Sequence, residues 1–329
     1  MTDAIATSAG GATKENRCLD FGSSTAIQSS RPPRREVSGG PDRDIPYPIS
    51  RIPAVNVAQV PQRSPLRYPG GKTWLVPHIR SWLSGTRRKM LIEPFAGGAI
   101  VSLTAIMEDL AERATLVERD RDVAAFWRAA LLHGPRLVAR IAEFTPTRER
   151  VRDLERGTPE GVVEQGFRTL VLNRTHRAGI LAPGSSLSRH GENGKGILSR
   201  WYPKTLIARL SAIAAHADRI TFHEADSMQM IEPLLQSWGR DAAVFVDPPY
   251  TAGGKRAGTR LYTHNDLDHE RLFWILAQHE GSVLMTYDYS PEVVRLVARY
   301  GFQAVQVRMK NAHHNRLAEL VITRERLFA

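Results

Sequence analysis

The chain has 329 residues, 42% of them hydrophobic, which is enough for one large core or two modest ones. Its 45 Lys and Arg outnumber 34 Asp and Glu, giving +11, so a polyanion is the expected partner, either nucleic acid or an anionic membrane surface. The single cysteine, Cys18, excludes an internal disulfide framework and a Cys-based zinc site. No apolar stretch approaches the roughly 20 residues that span a bilayer. The opening Met-Thr-Asp-Ala-Ile-Ala lacks the basic and apolar regions of a secretory signal, which predicts a cytoplasmic protein.

Residues 1–63 are rich in Ser, Gly, Ala, Pro and Arg and show no amphipathic period. They read as a flexible N-terminal tail, with a regulatory or targeting arm as the alternative. Folded sequence is expected from Ser64. The segment Arg67-Tyr68-Pro69-Gly70-Gly71-Lys72-Thr73 precedes a helix and looks like the end of a phosphate loop. Leu66 stands where that loop needs a glycine, and no buried strand precedes it, so a nucleotide-triphosphatase reading fails. A glycine turn that places Tyr68 and Lys72 at a ligand pocket fits better.

Lys89–Glu93 reads as a strand, 99–110 as a helix and Thr115–Glu118 as a second strand. Between the first strand and the helix lies Glu93-Pro94-Phe95-Ala96-Gly97-Gly98. Its glycines let a ligand approach the backbone at a helix start, or serve a βα turn that merely needs glycine. Glu118 ends the next strand, 21 residues after Gly97. An acid there suits ribose hydroxyls, or is an exposed strand-end carboxylate. Together the two suggest an adenosine-containing cofactor.

Residues 125–219 interrupt the alternation with helical patterns and a Gly- and Ser-rich loop over 179–196. This stretch carries sixteen Lys and Arg against eight Asp and Glu, so it holds +8 of the chain's +11. It reads as a nucleic-acid-reading insert, or as a solvated helical lid. From Ile220 the βα alternation resumes. Strand 220–222 is followed by Asp226, which stands to hydrogen-bond a cofactor base or to cap the next helix, 228–238. Strand Ala242–Val246 ends in Asp247-Pro248-Pro249-Tyr250. The prolines stop the strand and fix the backbone, presenting a carboxylate, carbonyls and a flat ring together. In open α/β sheets ligands bind at that end, and this group suits an exocyclic amine on a planar base. Helix 268–278, strand 282–286, helix 291–300 and strands 303–309 and 319–323 complete an α/β fold with a mostly parallel sheet. His313-His314 lies in a polar loop without a third metal ligand at suitable spacing, so no metal site is expected.

In this order the motifs resemble those of the Dam-like (D12 class) adenine-N6 DNA methyltransferase family: Tyr-Pro-Gly-Gly-Lys at 68–72, Glu-Pro-Phe-Ala-Gly-Gly at 93–98, the acid at 118, a target-recognition insert, then Asp-Pro-Pro-Tyr at 247–250. Leu172-Asn173-Arg174-Thr175 and Gly179 look like the family's motif within that insert. The resemblance covers about residues 64–326. It implies a Rossmann-like methyltransferase sheet over 64–124 and 220–329, with residues 125–219 as the DNA-binding insert. It also implies S-adenosylmethionine as cofactor and double-stranded DNA as partner, with a cognate restriction endonuclease as a candidate second partner and no membrane.

By the same resemblance, Asp247, Pro248, Pro249 and Tyr250 are catalytic. Tyr68, Gly70, Gly71, Lys72, Glu93, Pro94, Phe95, Gly97, Gly98, Glu118, Asp226 and Asp247 border the cofactor. Asn173, Arg174, Arg177, Arg189, Lys195 and Arg200 contact DNA. Two departures stand out. Ala99 and Ile100 occupy positions where many members have a third glycine or a serine. Arg177 and Ala178 occupy positions where Dam-like members have an aromatic residue and an asparagine. The likeness therefore extends to the methyl-transfer residues and not to a target sequence.

Overall fold

Seven short runs rich in aliphatic residues form one sheet. They are β1 (Arg88–Glu93), β2 (Ala111–Glu118), β3 (Ile220–Glu224), β4 (Ala242–Val246), β5 (Ser282–Asp288), β6 (Gln303–Lys310) and β7 (Arg316–Thr323). The structure is a computed structural model that describes residues 57–68, 71–84, 88–182, 185–191, 194–250, 267–310 and 316–325. The strand order is β3-β2-β1-β4-β5-β7-β6. The first five strands run parallel, and β7 pairs antiparallel with both β5 and β6. The order reverses between β1 and β4, which makes the adjoining carboxyl ends of these two strands the topological switch point of a Rossmann-like sheet.

Ten α-helices among the described residues accompany the strands: α1 (Val76–Leu83), α2 (Ile100–Met107), α3 (Arg121–Leu132), α4 (Gly134–Ala142), α5 (Arg148–Arg156), α6 (Gly161–Thr175), α7 (Pro203–Ala214), α8 (Ser227–Trp238), α9 (His269–Gln278) and α10 (Pro291–Arg299). Strand side chains alternate between the two faces. Leu91, Leu116, Ala243, Phe245 and Leu284 join a core shared with α1, α2 and α3, which continues through Phe167 of α6 and Leu206 and Leu210 of α7. Met90, Ile92, Val244, Val246, Val283 and Met285 face the other way, onto apolar residues of α8, α9 and α10. Side-chain caps start several helices: Asp120 for α3, Asp226 for α8, Asp268 for α9, and Ser290 with Pro291 for α10.

Every strand expected from the sequence is present, and several elements differ in extent. β2 begins at Ala111 rather than Thr115, since the exposed Glu112 and Arg113 hide its start from a hydrophobicity pattern. β7 begins at Arg316, paired along β6 as a hairpin. α2 stops at Met107 because Asp109 takes a positive φ of 58°, which ends the helix before Leu110. Ahead of Ser64, Val57–Gln59 forms a 3₁₀ turn, Val60 is buried, and Arg63 reaches Glu108 at 2.7 Å. The position chosen from sequence for the start of the insert, residue 125, falls inside α3. Residues 1–56, with Cys18, and the His313-His314 pair lie outside the described residues. No helix among the described residues is long and apolar enough to cross a membrane.

Candidate active site

The turn after β1 and the acid after β4 meet because the two strands are neighbours, with Ile92 opposite Val244. Pro94 ends β1, and the chain turns through Gly97 at φ 45° and Ala99 at φ 48° into α2. A side chain at Gly97 would have to adopt that left-handed backbone and would meet the Tyr68 ring at 3.4 Å. The turn is held from three sides. Ala96 donates to the Val117 carbonyl at 3.0 Å, Trp127 Nε1 donates to the Gly97 carbonyl at 2.9 Å, and the Gly97 N–H donates to Glu118 Oε2 at 3.0 Å. Ser227 Oγ hydrogen-bonds the Pro94 carbonyl and ties the start of α8 to the same turn.

One cavity of about 610 Å³ opens at this switch point. Glu93, Glu118, Asp226 and Asp247 border it, together with Tyr68, Gly71, Lys72, Phe95, Gly97 and Gly98. Glu93 is 3% exposed and accepts the Ser102 N–H at 2.9 Å. Burial pushes its carboxyl up to about 8 against an ordinary value of 4.5. Burial also lifts Glu118 to about 7, although it accepts the backbone N–H groups of Asp120 and Gly97. Asp226 caps α8 through the Met228 N–H at 2.8 Å and pairs with Arg119 at 2.9 Å, and it still faces the cavity. Of the two roles open to Asp226 in the sequence, capping is therefore present in the structure.

Asp247 is pinned by one oxygen. Its Oδ1 accepts from Thr286 Oγ1 at 2.7 Å and from the Tyr250 hydroxyl at 2.8 Å, and faces Lys72 Nζ at 3.1 Å. Among the described residues no donor reaches its Oδ2. Lys72 is 4% exposed and also contacts Glu319 Oε1 at 2.6 Å. Burial alone would lower the pKa of this ammonium, but the Asp247 and Glu319 carboxylates outweigh burial and hold it well above its ordinary value. Tyr250 does not border the cavity. Its hydroxyl bonds Asp247 and Glu319, and its ring stacks on Tyr287 with centroids 6.0 Å apart. Pro248 is buried behind Asp247, and Pro249 borders the cavity.

The opposite wall is cationic. Arg67, Arg174, Arg200 and Arg209 border the same cavity, beside the exposed ring of Tyr202. Arg174, at the end of α6, is 7% exposed, and its Nε has no hydrogen-bond partner. Burial, then the charges of Arg209, Arg67 and Arg200, lower it to about 9. Burial and Arg200 lower Arg67 to about 10. Arginine keeps its proton at such values near neutral pH, so the shifts register burial and then mutual repulsion, both of which a bound anion would offset.

The residues expected at DNA divide into three groups. Arg174 and Arg200 border the cavity, whereas Arg177, Arg189 and Lys195 are exposed and do not. Asn173 differs from the expectation. It is fully buried and holds the Arg67 backbone on both sides, accepting its N–H at 2.7 Å and donating to its carbonyl at 2.7 Å, with a further bond to the Gly179 carbonyl at 2.8 Å. An amide satisfied in this way fixes the chain that leads into Tyr68 and Lys72 and has no surface to offer DNA. Gly70, expected at the cofactor, lies outside the described residues. Arg67, Arg209, Thr286 and Glu319 escaped the sequence reading. For Glu319 a signal existed, because an acid heads the apolar run Leu320-Val321-Ile322 and shares a strand face with buried Val321.

Acidic side chains gathered on one cavity suit a ligand that carries positive charge, and the glycine turn leaves backbone within its reach. The residues present therefore fit S-adenosylmethionine, which bears an ammonium and a sulfonium. A family profile described as "D12 class N6 adenine-specific DNA methyltransferase" matches residues 68–311. No curated protein matches the sequence. Among solved structures, the chain is similar to the rRNA methyltransferase aviRa from Streptomyces viridochromogenes at 15% identity, covering 84% of this chain and 88% of that one with a TM-score of 0.37. It is similar to precorrin-6y C5,15-methyltransferase from Geobacter metallireducens at 12% identity, covering 77% and 88% with a TM-score of 0.34. At such TM-scores the fold rests on the strand order.

Two stability outcomes are expected. Asn173→Ala leaves two Arg67 backbone groups and the Gly179 carbonyl without their partner, a loss of about 2–4 kcal/mol visible in thermal or urea unfolding; unchanged stability would remove the clip. Glu93→Gln acts through pH. Because the folded state raises this carboxyl from 4.5 to about 8, the stability it contributes is full below pH 4.5 and lost as pH rises through 8. The neutral amide escapes that loss, so the variant should outlast the parent in melts at pH 9 by more than at pH 5. An equal difference at both pH values would contradict the assigned ionisation.

Proposed function

The chain belongs to the D12 class N6 adenine-specific DNA methyltransferase family, and on that premise we propose that it methylates adenine N6 at a specific site in duplex DNA, on a base flipped out of the helix. The observation that carries this reading is Asp247. One oxygen is locked by three donors, the other is left for a substrate, and the residue stands in a cavity whose far wall holds four arginines. That arrangement suits an exocyclic amine attached to a phosphate-bearing chain.

S-adenosylmethionine, when bound, supplies an electrophilic methyl group on positively charged sulfur. Glu93 would hold its ammonium and Glu118 its ribose hydroxyls, with Tyr68, Gly71, Lys72, Phe95, Gly97, Gly98 and Asp226 around them and Pro94 shaping the turn. Asp247 Oδ2 and the Pro248 carbonyl would accept the two N–H groups of the adenine amine. An amine held by two acceptors is drawn toward a pyramidal nitrogen, whose lone pair is otherwise delocalised into the ring. Positioning of this kind supplies several kcal/mol without a strong base. Asp247 is also placed to take the proton that the nitrogen sheds once methylated.

A base stacked inside a duplex cannot reach Asp247, so it must leave the stack, at a cost of a few kcal/mol. Tyr250 would stack on the target base, with its hydroxyl kept on Asp247 and Glu319. The repulsion within the Arg67, Arg174, Arg200 and Arg209 group would be relieved by backbone phosphates beside the flipped nucleotide. Exposed Arg177, Arg189 and Lys195 would add contacts along the duplex from the insert over residues 125–219, and a cognate restriction endonuclease would read the same sequence.

Asp247→Ala should abolish N6-methyladenine formation on duplex DNA, scored by mass analysis of nucleosides, while cofactor and DNA binding persist. Turnover retained in that variant would sink the assignment, and N4-methylcytosine or modified RNA from the parent would change the substrate. Arg200→Gln should weaken DNA binding at low salt and reduce the slope of log K against log salt by about 0.9; an unchanged slope would remove Arg200 from the phosphates.

A further inference from the structure

Glu319 belongs to none of the motifs that identify this family in the sequence. It comes from β7, the antiparallel strand inserted between β5 and β6, where it stands opposite Asp288 and Val307. It is 2% exposed, and a carboxylate is seldom buried to that degree unless it is paired. Lys72 Nζ lies 2.6 Å from Glu319 and 3.1 Å from Asp247, so the ammonium leans toward the residue that does not border the cavity. The Tyr250 hydroxyl bonds both carboxylates in the same way. Glu319 thus holds two of the three donors that grip Asp247 Oδ1, while its own Oε2 is buried and without a partner.

The charge arrangement has a consequence for Asp247. An ammonium serving Asp247 alone would neutralise it and weaken it as a hydrogen-bond acceptor. Shared between two carboxylates, the same ammonium leaves a net negative charge at the cavity. The groups facing Asp247 are Lys72, Glu319, Tyr250, Tyr287 and, across the switch point, Glu93.

We propose that Glu319 is a positioning residue for methyl transfer: it draws off the Lys72 ammonium and anchors the Tyr250 hydroxyl, so that Asp247 keeps one oxygen open and strong as an acceptor for the amine of the target base. This role rests on the adenine-N6 reading given above.

The test compares the full-length parent, E319Q, K72Q and K72Q/E319Q on duplex DNA, with N6-methyladenine as the readout. E319Q should lose about 10- to 100-fold in kcat, with KM for DNA and cofactor within about threefold of the parent. With kcat expressed per cofactor-binding enzyme, a merely structural role would leave it at the parent's value. In the K72Q background the same change should cost little further, since the effect runs through Lys72. The double variant leaves no lone buried charge, so it carries the comparison with K72Q even where E319Q does not fold. E319Q kinetics matching the parent at every pH, or a double variant more than about tenfold slower than K72Q, would overturn the role. A parent that makes no N6-methyladenine would instead overturn the reading on which the role rests.

Discussion

A buried ammonium must be matched by negative charge close at hand, and Lys72 is the buried ammonium around which this site is organised. It comes from the segment ahead of α1, and its two carboxylates come from the end of β4 and from β7. Three parts of the chain that are distant in sequence are therefore fixed to one another by one charge. Satisfying it locks Asp247 in a single orientation, with Thr286 and Tyr250 completing the grip on Oδ1. Among the described residues no donor reaches the other oxygen, and Asp247 borders the cavity.

The cavity is electrostatically two-sided. Carboxylates at the ends of β1, β2 and β4 line it, together with arginines from the segment before α1, the end of α6, the turn before α7 and α7 itself. Each side is costly in isolation. Glu93 and Glu118 are pushed up by burial, and Arg174 and Arg67 are pushed down by burial and then by neighbouring arginines, Arg209, Arg67 and Arg200 for Arg174 and Arg200 for Arg67. A cation held at the first group and a polyanion held at the second would each offset that cost.

The two walls are joined by an uncharged clip. Asn173 sits at the end of the helix that carries Arg174, and it grips the backbone of Arg67, five residues before Lys72. Its three hydrogen bonds make the placement of the cationic wall and of the Lys72 segment one problem rather than two. Gly179, at φ 77°, is packed so closely on Arg67 that a Cβ there would lie 2.6 Å from its carbonyl oxygen. The conformation of the chain just after α6 is thus tied to the same joint.

The sequence by itself determined the α/β alternation, the strand that ends in Asp247 and the glycine turn after Glu93. Local patterning sets these features: short apolar runs buried on both faces, prolines that cannot continue a strand, and glycine where the backbone must turn left-handed. Motif order was enough for the family as well. Only the tertiary structure decided that β1 and β4 are neighbours, that Asn173 clips Arg67 rather than facing DNA, that Tyr250 turns inward, and that Glu319 shares Lys72 with Asp247. Those outcomes depend on contacts between residues up to 247 positions apart, as in the Lys72–Glu319 pair. A side chain's partners across such a distance are set by sheet order and strand register, and neither leaves a local trace in composition or spacing.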